Sequence, residues 1–332
     1  MMAQDQTQPL LSVRNLRTYF HTFSGVVKAV NGVSFEIGKG EIMGLVGESG
    51  GGKSVIGFSI LGLIESPGKI EGGEILLDGE DLAAAGEDRL RQIRGRDISM
   101  VFQDPMTSLN PLHTVGQQMD EVLRLHSDLN AADRRKACIE MLESVGISRA
   151  AERLKAYPHQ FSGGMRQRVV IAIALLAGPR LIIADEPTTA LDVTIQSQIL
   201  KLMRRQIADH GASMILVTHD LAVVSEMADH ITVLYCGKVV ERGRTRDLIE
   251  NPAHPYTRGL IDSIPDPTDR HDRLQQIPGT VPDIRALPKG CNFRERCPRA
   301  QALCAEREPE LEKRHDSLWA ACHFPLEPGD TA

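Results

Sequence analysis

Residues Gly47-Glu48-Ser49-Gly50-Gly51-Gly52-Lys53-Ser54 restrict this chain more than any other stretch. They fit the spacing G-x-x-x-x-G-K-[ST], and the continuously apolar run Ile42-Met43-Gly44-Leu45-Val46 comes just before them. A run apolar at every position suits a strand buried on both faces, which is the habit of parallel sheets. A helix-like stretch begins at Lys53, so the loop lies between a strand and a helix, the setting this motif requires. Its glycines let backbone N–H groups turn inward around phosphate oxygens, and the helix N-terminus adds positive potential. Lys53 suits the β/γ oxygens, and the Ser54 hydroxyl suits Mg²⁺. The fold class is therefore α/β.

A carboxylate partner follows downstream. Leu181-Ile182-Ile183-Ala184 is a second apolar strand, and it ends in Asp185-Glu186. Asp185 at a strand tip suits the Mg²⁺ or its water shell, while Glu186 suits a general base for an attacking water. Helix Thr194–Ala208 lies between this strand and a third at Ser213–Thr218, the strand–helix–strand alternation of a parallel sheet. Residues 11–46 read as short strands, 115–156 as a charged helical region broken at Gly146, Met165–Ala177 as a helix, and Ile231–Val240 as a hairpin turning near Cys236-Gly237.

Charge and hydropathy exclude some classes. The chain has 332 residues with 38 Lys+Arg against 44 Asp+Glu, and a net charge of −6 does not suit a coat for nucleic acid. Aromatics at 4% are too sparse for base-stacking platforms. The longest apolar stretch, Val169–Ala177, falls well short of the roughly 20 residues that span a bilayer. Met1–Pro9 is polar and lacks the layout of a secretory signal, so the expected location is the cytosol, with reduced thiols.

A third loop selects among phosphate-loop classes. Phe161-Ser162-Gly163-Gly164-Met165-Arg166-Gln167-Arg168 closely resembles the signature of ATP-binding cassette (ABC) ATPases, usually L-S-G-G-Q, with Phe161 for Leu and Met165 for Gln. The resemblance covers about residues 10–250. It implies a P-loop NTPase cassette with a RecA-like core, an antiparallel β subdomain and a helical subdomain at about 105–178. It also implies ATP and Mg²⁺ as cofactors and roles for further residues. Gln103 matches the Q-loop residue that touches Mg²⁺ and the lytic water, and His219 matches the switch histidine at the γ-phosphate. Phe20 falls where the family stacks an aromatic on adenine, with Tyr19 as its neighbour. Ser162, Gly163, Gly164 and Asp192 would meet the nucleotide of a second subunit, so that ATP is held between two ATPase subunits.

Asp104-Pro105-Met106-Thr107-Ser108-Leu109-Asn110-Pro111 and Asn251-Pro252-Ala253-His254-Pro255-Tyr256-Thr257 are similar to the D-type ATPase subunits of dipeptide and oligopeptide importers. The implied activity is ATP hydrolysis driving peptide import. The partners would be a second ATPase subunit (a heterodimer), two transmembrane permeases reached through segment 103–114, and a periplasmic or surface solute-binding protein. The location would be the cytoplasmic face of the inner membrane. Nickel or glutathione are alternative cargoes within that group. A soluble ABC ATPase acting on DNA or ribosomes is the alternative outside it, although such proteins usually carry two cassettes or a long coiled coil.

After residue 250 prolines punctuate the chain and the long periodic segments stop, so 251–332 reads as a loop-rich extension. It holds Cys291, Cys297, Cys304 and Cys322. No tight C-x₂₋₄-C pair occurs, so four thiolates on loops suit an iron–sulfur cluster better than zinc. Cysteines that merely pack are the metal-free alternative. The resemblance implies a [4Fe–4S] cluster, since some family members carry one in this extension. Cys138 and Cys236 read as buried small residues.

Overall fold

The computed structural model describes residues 8–104, 108–189, 192–264, 276–315 and 317–330. Among them no helix is long and apolar enough to cross a membrane. The chain divides into two compact units, one of Met1–Gly38, Ile42–Ala84 and Val217–Ala332, the other of Lys39–Glu41 and Ala85–Leu216. The loop-rich extension thus groups with the N-terminal strands and is not a unit of its own.

The first unit contains two sheets. Strands β1 (Leu11–Thr22), β2 (Gly25–Ile37), β4 (Gly68–Leu77) and β5 (Glu80–Asp81) form an antiparallel sheet in the order β2-β1-β4-β5. Its register pairs Leu11 with Ile37 and Leu77, and Val13 with Phe35 and Ile75, all buried on one face. This is the period-2 segregation expected of a half-buried sheet.

The other sheet is built on β3 (Ile42–Val46), every residue of which is buried. It lies parallel to β9 (His230–Tyr235), which turns through Cys236-Gly237 into antiparallel β10 (Lys238–Arg244). Two strands of the extension, β11 (Glu312–His315) and β12 (Leu318–Ala320), continue this sheet in the order β11-β12-β10-β9-β3. The Arg242 guanidinium lies 5.3 Å from the centroid of the Trp319 ring at the seam.

The extension also packs an aromatic cluster against the β9–β10 turn. Tyr235, Tyr256 and Phe293 have centroids 4.7–5.3 Å apart and are 2% exposed or less. Each such side chain stabilises the fold by about 1.5–3 kcal/mol.

In the second unit β6 (Ile98–Val101) and β7 (Leu181–Asp185) are parallel, with Ile98 opposite Leu181 and Val101 opposite Ala184, and β8 (Ser213–Thr218), of which Ser213–Leu216 belong to this unit, borders β7. Helices Gly163–Leu175 and Val193–His210 precede and follow β7, and both start on side-chain caps. Ser162 accepts from the Met165 amide at 3.4 Å and Asp192 from the Ile195 amide at 3.0 Å. The region read as helical with a break at Gly146 is three helices, Val115–His126, Ala131–Ser144 and Ala150–Arg153. The unforeseen break comes at Asn130, whose side chain accepts from the Ala132 and Asp133 amides and starts a new helix.

The iron–sulfur expectation, with its four proposed ligands Cys291, Cys297, Cys304 and Cys322, is overturned. Among the described residues no group of three or more His, Cys, Asp or Glu side chains is placed to hold a metal ion. The four cysteines do line one cavity, along with Phe293 and Phe324, but its volume is about 10 Å³. That is barely the space of one water molecule. Burial raises the Cys291 and Cys297 thiols above their ordinary range and lifts Cys322 to about 12. These three thiols therefore favour the protonated form, whereas a metal needs thiolates.

Candidate nucleotide site

The phosphate loop belongs to the first unit, where β3 delivers it and helix Lys53–Ile60 receives it. Two of its glycines are required by space. A Cβ on Gly47 would lie 2.2 Å from the Leu234 carbonyl oxygen, and one on Gly52 would lie 2.1 Å from that of Ala29. Gly52 also holds φ 94°, which only glycine adopts without strain. The loop is tied across by Gly51 N–H to the Glu48 carbonyl (3.1 Å) and by Gly237 N–H to the Gly51 carbonyl (3.1 Å). Lys53 is buried, and its Nζ donates to the carbonyls of Gly47 (2.7 Å) and Glu48 (3.0 Å). The ammonium is thereby folded back over the loop it closes. Ser49 and Gly50 face solvent, and Ser54 is half-buried at the helix start.

Glu48 is held differently from what its place in a phosphate loop suggests. Its amide donates to the Tyr256 hydroxyl at 2.9 Å, and its carboxylate takes a bidentate pair from Arg296 at 2.6 and 3.0 Å. Nothing in the sequence links either residue to Glu48, since 208 and 248 positions separate them.

Elsewhere in this unit His219 follows β8 and is exposed, between Thr218 and the capping residue Asp220 of helix Leu221–Met227. Phe20 is half-buried on β1 with its ring over Gly68, whose added Cβ would lie 2.6 Å from Cε1. Tyr19 beside it donates to the Asn31 side chain at 2.8 Å.

The carboxylates belong to the second unit. Asp185 ends β7 and is 4% exposed. Glu186, one residue on, sits in the left-handed region at φ 45°, an uncommon conformation for a side chain of its size. Its Oε2 accepts from Gln103 Nε2 at 3.1 Å and from the Thr189 hydroxyl at 2.9 Å. Gln103 comes from just beyond β6, so the parallel β6–β7 pair sets that contact. The carboxylate of buried Asp185 offers the hard oxygen donor chemistry that Mg²⁺ favours, while the amide of Gln103 and the hydroxyl of Thr189 hold half-buried Glu186 next to it.

Ser162 and Gly163 open helix Gly163–Leu175, Ser162 is exposed, and Gly164 packs against Ile195. Pro105, Met106 and Thr107 of the segment after Gln103, and Ala190 and Leu191 before Asp192, lie outside the described residues.

Residues 30–189 match the family described as ABC transporter, and residues 240–304 match the oligopeptide/dipeptide transporter C-terminal region. The chain is 49% identical over 321 residues to the oligopeptide transport ATP-binding protein AppD of Bacillus subtilis, covering 96% of this chain and 98% of that one. The chain belongs to the ATP-binding subunits of the oligopeptide/dipeptide ABC transporters. OppD of Escherichia coli, also an oligopeptide transport ATP-binding protein, is 44% identical over 98% of this chain and 96% of its own. The dimeric post-hydrolysis structure of the ATP-binding cassette MJ0796, bound to ADP and Pi, matches with a TM-score of 0.64 and 29% identity. It covers 71% of this chain and 99% of that one. As an ABC ATPase of this family the chain binds ATP and Mg²⁺, and its fold is the ABC cassette.

Proposed function

We propose that this subunit hydrolyses ATP to drive import of di- or oligopeptides, with Glu186 as the general base. The observation that carries the chemistry is Glu186 itself, held in a left-handed backbone and fixed by hydrogen bonds from Gln103 and Thr189. Strain retained at one carboxylate beside a buried Asp is a common mark of a catalytic position. The glycines of 47–52 turn amides toward the phosphates, Lys53 neutralises the β/γ oxygens, and His219 meets the γ-phosphate. Ser54, Gln103 and Asp185 are the Mg²⁺ residues, and the ion when bound supplies charge neutralisation at the phosphates. Phe20 stacks on the adenine.

Ser162, Gly163, Gly164 and Asp192 complete the site of a second ATPase subunit, so the working unit is a pair, here a heterodimer. Two permease subunits and a solute-binding protein carry the peptide, and the ATPase pair works peripherally on the cytoplasmic face of the membrane. Peptide cargo rests on the match of residues 240–304 to the oligopeptide/dipeptide region. Nickel or glutathione would use the same machinery.

The test is Glu186→Gln in the assembled transporter. Turnover is expected to fall by about 10²–10⁴-fold, the usual contribution of a general base, while ATP is still bound. Native turnover in that variant would refute the assignment.

A further inference from the structure

The phosphate loop is gripped from outside the cassette at one residue, Glu48. Its backbone carbonyl is the hub of the loop, accepting from Gly51 N–H at 3.1 Å and from Lys53 Nζ at 3.0 Å. Its amide and carboxylate are both held by the extension, through Tyr256 and Arg296.

The Arg296 guanidinium is buried, with 4% of the side chain exposed. Its Nε donates to the Pro278 carbonyl at 2.9 Å, and its Nη groups reach Glu48, the Tyr235 hydroxyl at 3.3 Å and the Ile277 carbonyl at 3.4 Å. The rings of Tyr235 and Phe293 flank it with centroids 5.9 Å away. A guanidinium whose donors are all turned to protein groups is not poised to reach a phosphate. It acts through what it holds. A buried charge is tolerated only when paired, so loss of either partner strands the other. The bidentate fork also fixes the orientation of the carboxylate, which a lysine cannot reproduce.

We propose that Arg296 and Tyr256 are positioning residues for ATP: the C-terminal extension clamps Glu48 and thereby holds the phosphate loop, with Lys53, in its nucleotide-ready shape. The inference rests on the reading of residues 47–54 as the ATP site. It gives the extension a task in the ATPase cycle, separate from any role in recognising other subunits.

The experiment uses the full-length chain in the assembled transporter and reads steady-state ATPase KM and kcat together with equilibrium titration of a fluorescent ATP analogue. Arg296→Ala and Glu48→Ala are each expected to raise the KM for ATP by about tenfold, as loss of hydrogen bonds to a charged group does. The Arg296→Ala kcat should stay within about twofold of native, since its contact is made before and during the reaction alike. The double variant should be no worse than the worse single one, because both remove one interaction. Arg296→Lys keeps the charge and should fall between native and Arg296→Ala. Tyr256→Phe keeps the ring and should raise the KM by roughly threefold, the worth of one neutral hydrogen bond. Should Arg296→Ala fail to fold, the Lys and Phe variants carry the same test.

Native KM in the Arg296 and Tyr256 variants, or strictly additive Arg296 and Glu48 effects, would overturn the clamp. Lys53→Ala separates the two levels of the argument. If it binds ATP normally, the reading of the loop is wrong. If it loses ATP while the Arg296 variants do not, only the clamp is wrong.

Discussion

Two glycine-rich helix starts in this molecule look alike in sequence and are built in opposite ways. The loop 47–54 is determined by partners far along the chain: the Leu234 and Ala29 carbonyls that crowd Gly47 and Gly52, the Gly237 amide, Tyr256 and Arg296. The loop 162–164 is determined locally, by a Ser162 cap 3.4 Å from the Met165 amide and by Ile195 against Gly164. A subunit that must hold its own nucleotide keeps that loop rigid. The surface proposed to meet another subunit's nucleotide keeps Ser162 and Gly163 exposed. That difference can be broken or sharpened by substitution.

The largest contrast is between Gly52→Ala and Gly164→Ala. A methyl group on Gly52 meets a backbone oxygen at 2.1 Å and forces a side chain into φ 94°. Strain and overpacking together should weaken ATP binding by at least ~100-fold. On Gly164 the methyl meets only the movable end of Ile195, at 2.9 Å. Helix propensity gained there offsets part of the cost, so the folded subunit should bind ATP as native does. Nucleotide titration of the two variants side by side checks this. Equal losses in both would end the comparison.

Ser162→Ala is the intermediate case. Removing the cap should cost about 1 kcal/mol of stability and leave ATP binding to the subunit unchanged. On the proposed role of Ser162 in a second subunit's site, turnover of the paired subunits should fall. An unchanged turnover at saturating ATP would show that Ser162 is a helix cap and nothing more.

These two loops also show what was readable beforehand. Both stand out in sequence because glycine and serine at a helix start have few alternative uses, and strands β3 and β7 announce themselves by unbroken apolar runs. The Asn130 break was equally local, but it was masked by the charged periodicity around it. The Arg296–Glu48 pair was not readable, since nothing in a sequence couples residues 248 apart. The cysteines misled for a related reason. Spacing alone does not tell thiols that pack from thiols that ligate, and the deciding quantity, a cavity of about 10 Å³, exists only after folding.

The smallest effect concerns pH and bears only on the loop held by remote partners. Glu241 on β10 is fully buried and accepts from the amides of Ala253 (2.6 Å) and His254 (3.0 Å), so it anchors the start of the helix Pro255–Asp262 that carries Tyr256. Burial pushes its carboxyl from 4.5 up to about 7, opposed by the hydrogen bonds from the Ala253 and His254 amides and by the charge of Arg258. His254 beside it is buried and pushed down to about 3, so it stays neutral throughout this range. Because the folded carboxyl binds its proton more tightly than the unfolded one, this group's contribution is fully present below pH 4.5 and is lost as pH rises through about 7. The change should be of the order of 1–3 kcal/mol. Glu241→Gln removes the titration, so its thermal midpoint should decline less than that of the native protein between pH 5 and 8. The pH dependence of the ATP KM should flatten with it, because Tyr256 holds Glu48 from that helix. The Ser162 cap is a neutral hydroxyl on an amide, and a double variant Glu241→Gln, Ser162→Ala should show no further change in slope. Identical slopes in native and Glu241→Gln proteins would detach this anchor from the phosphate loop.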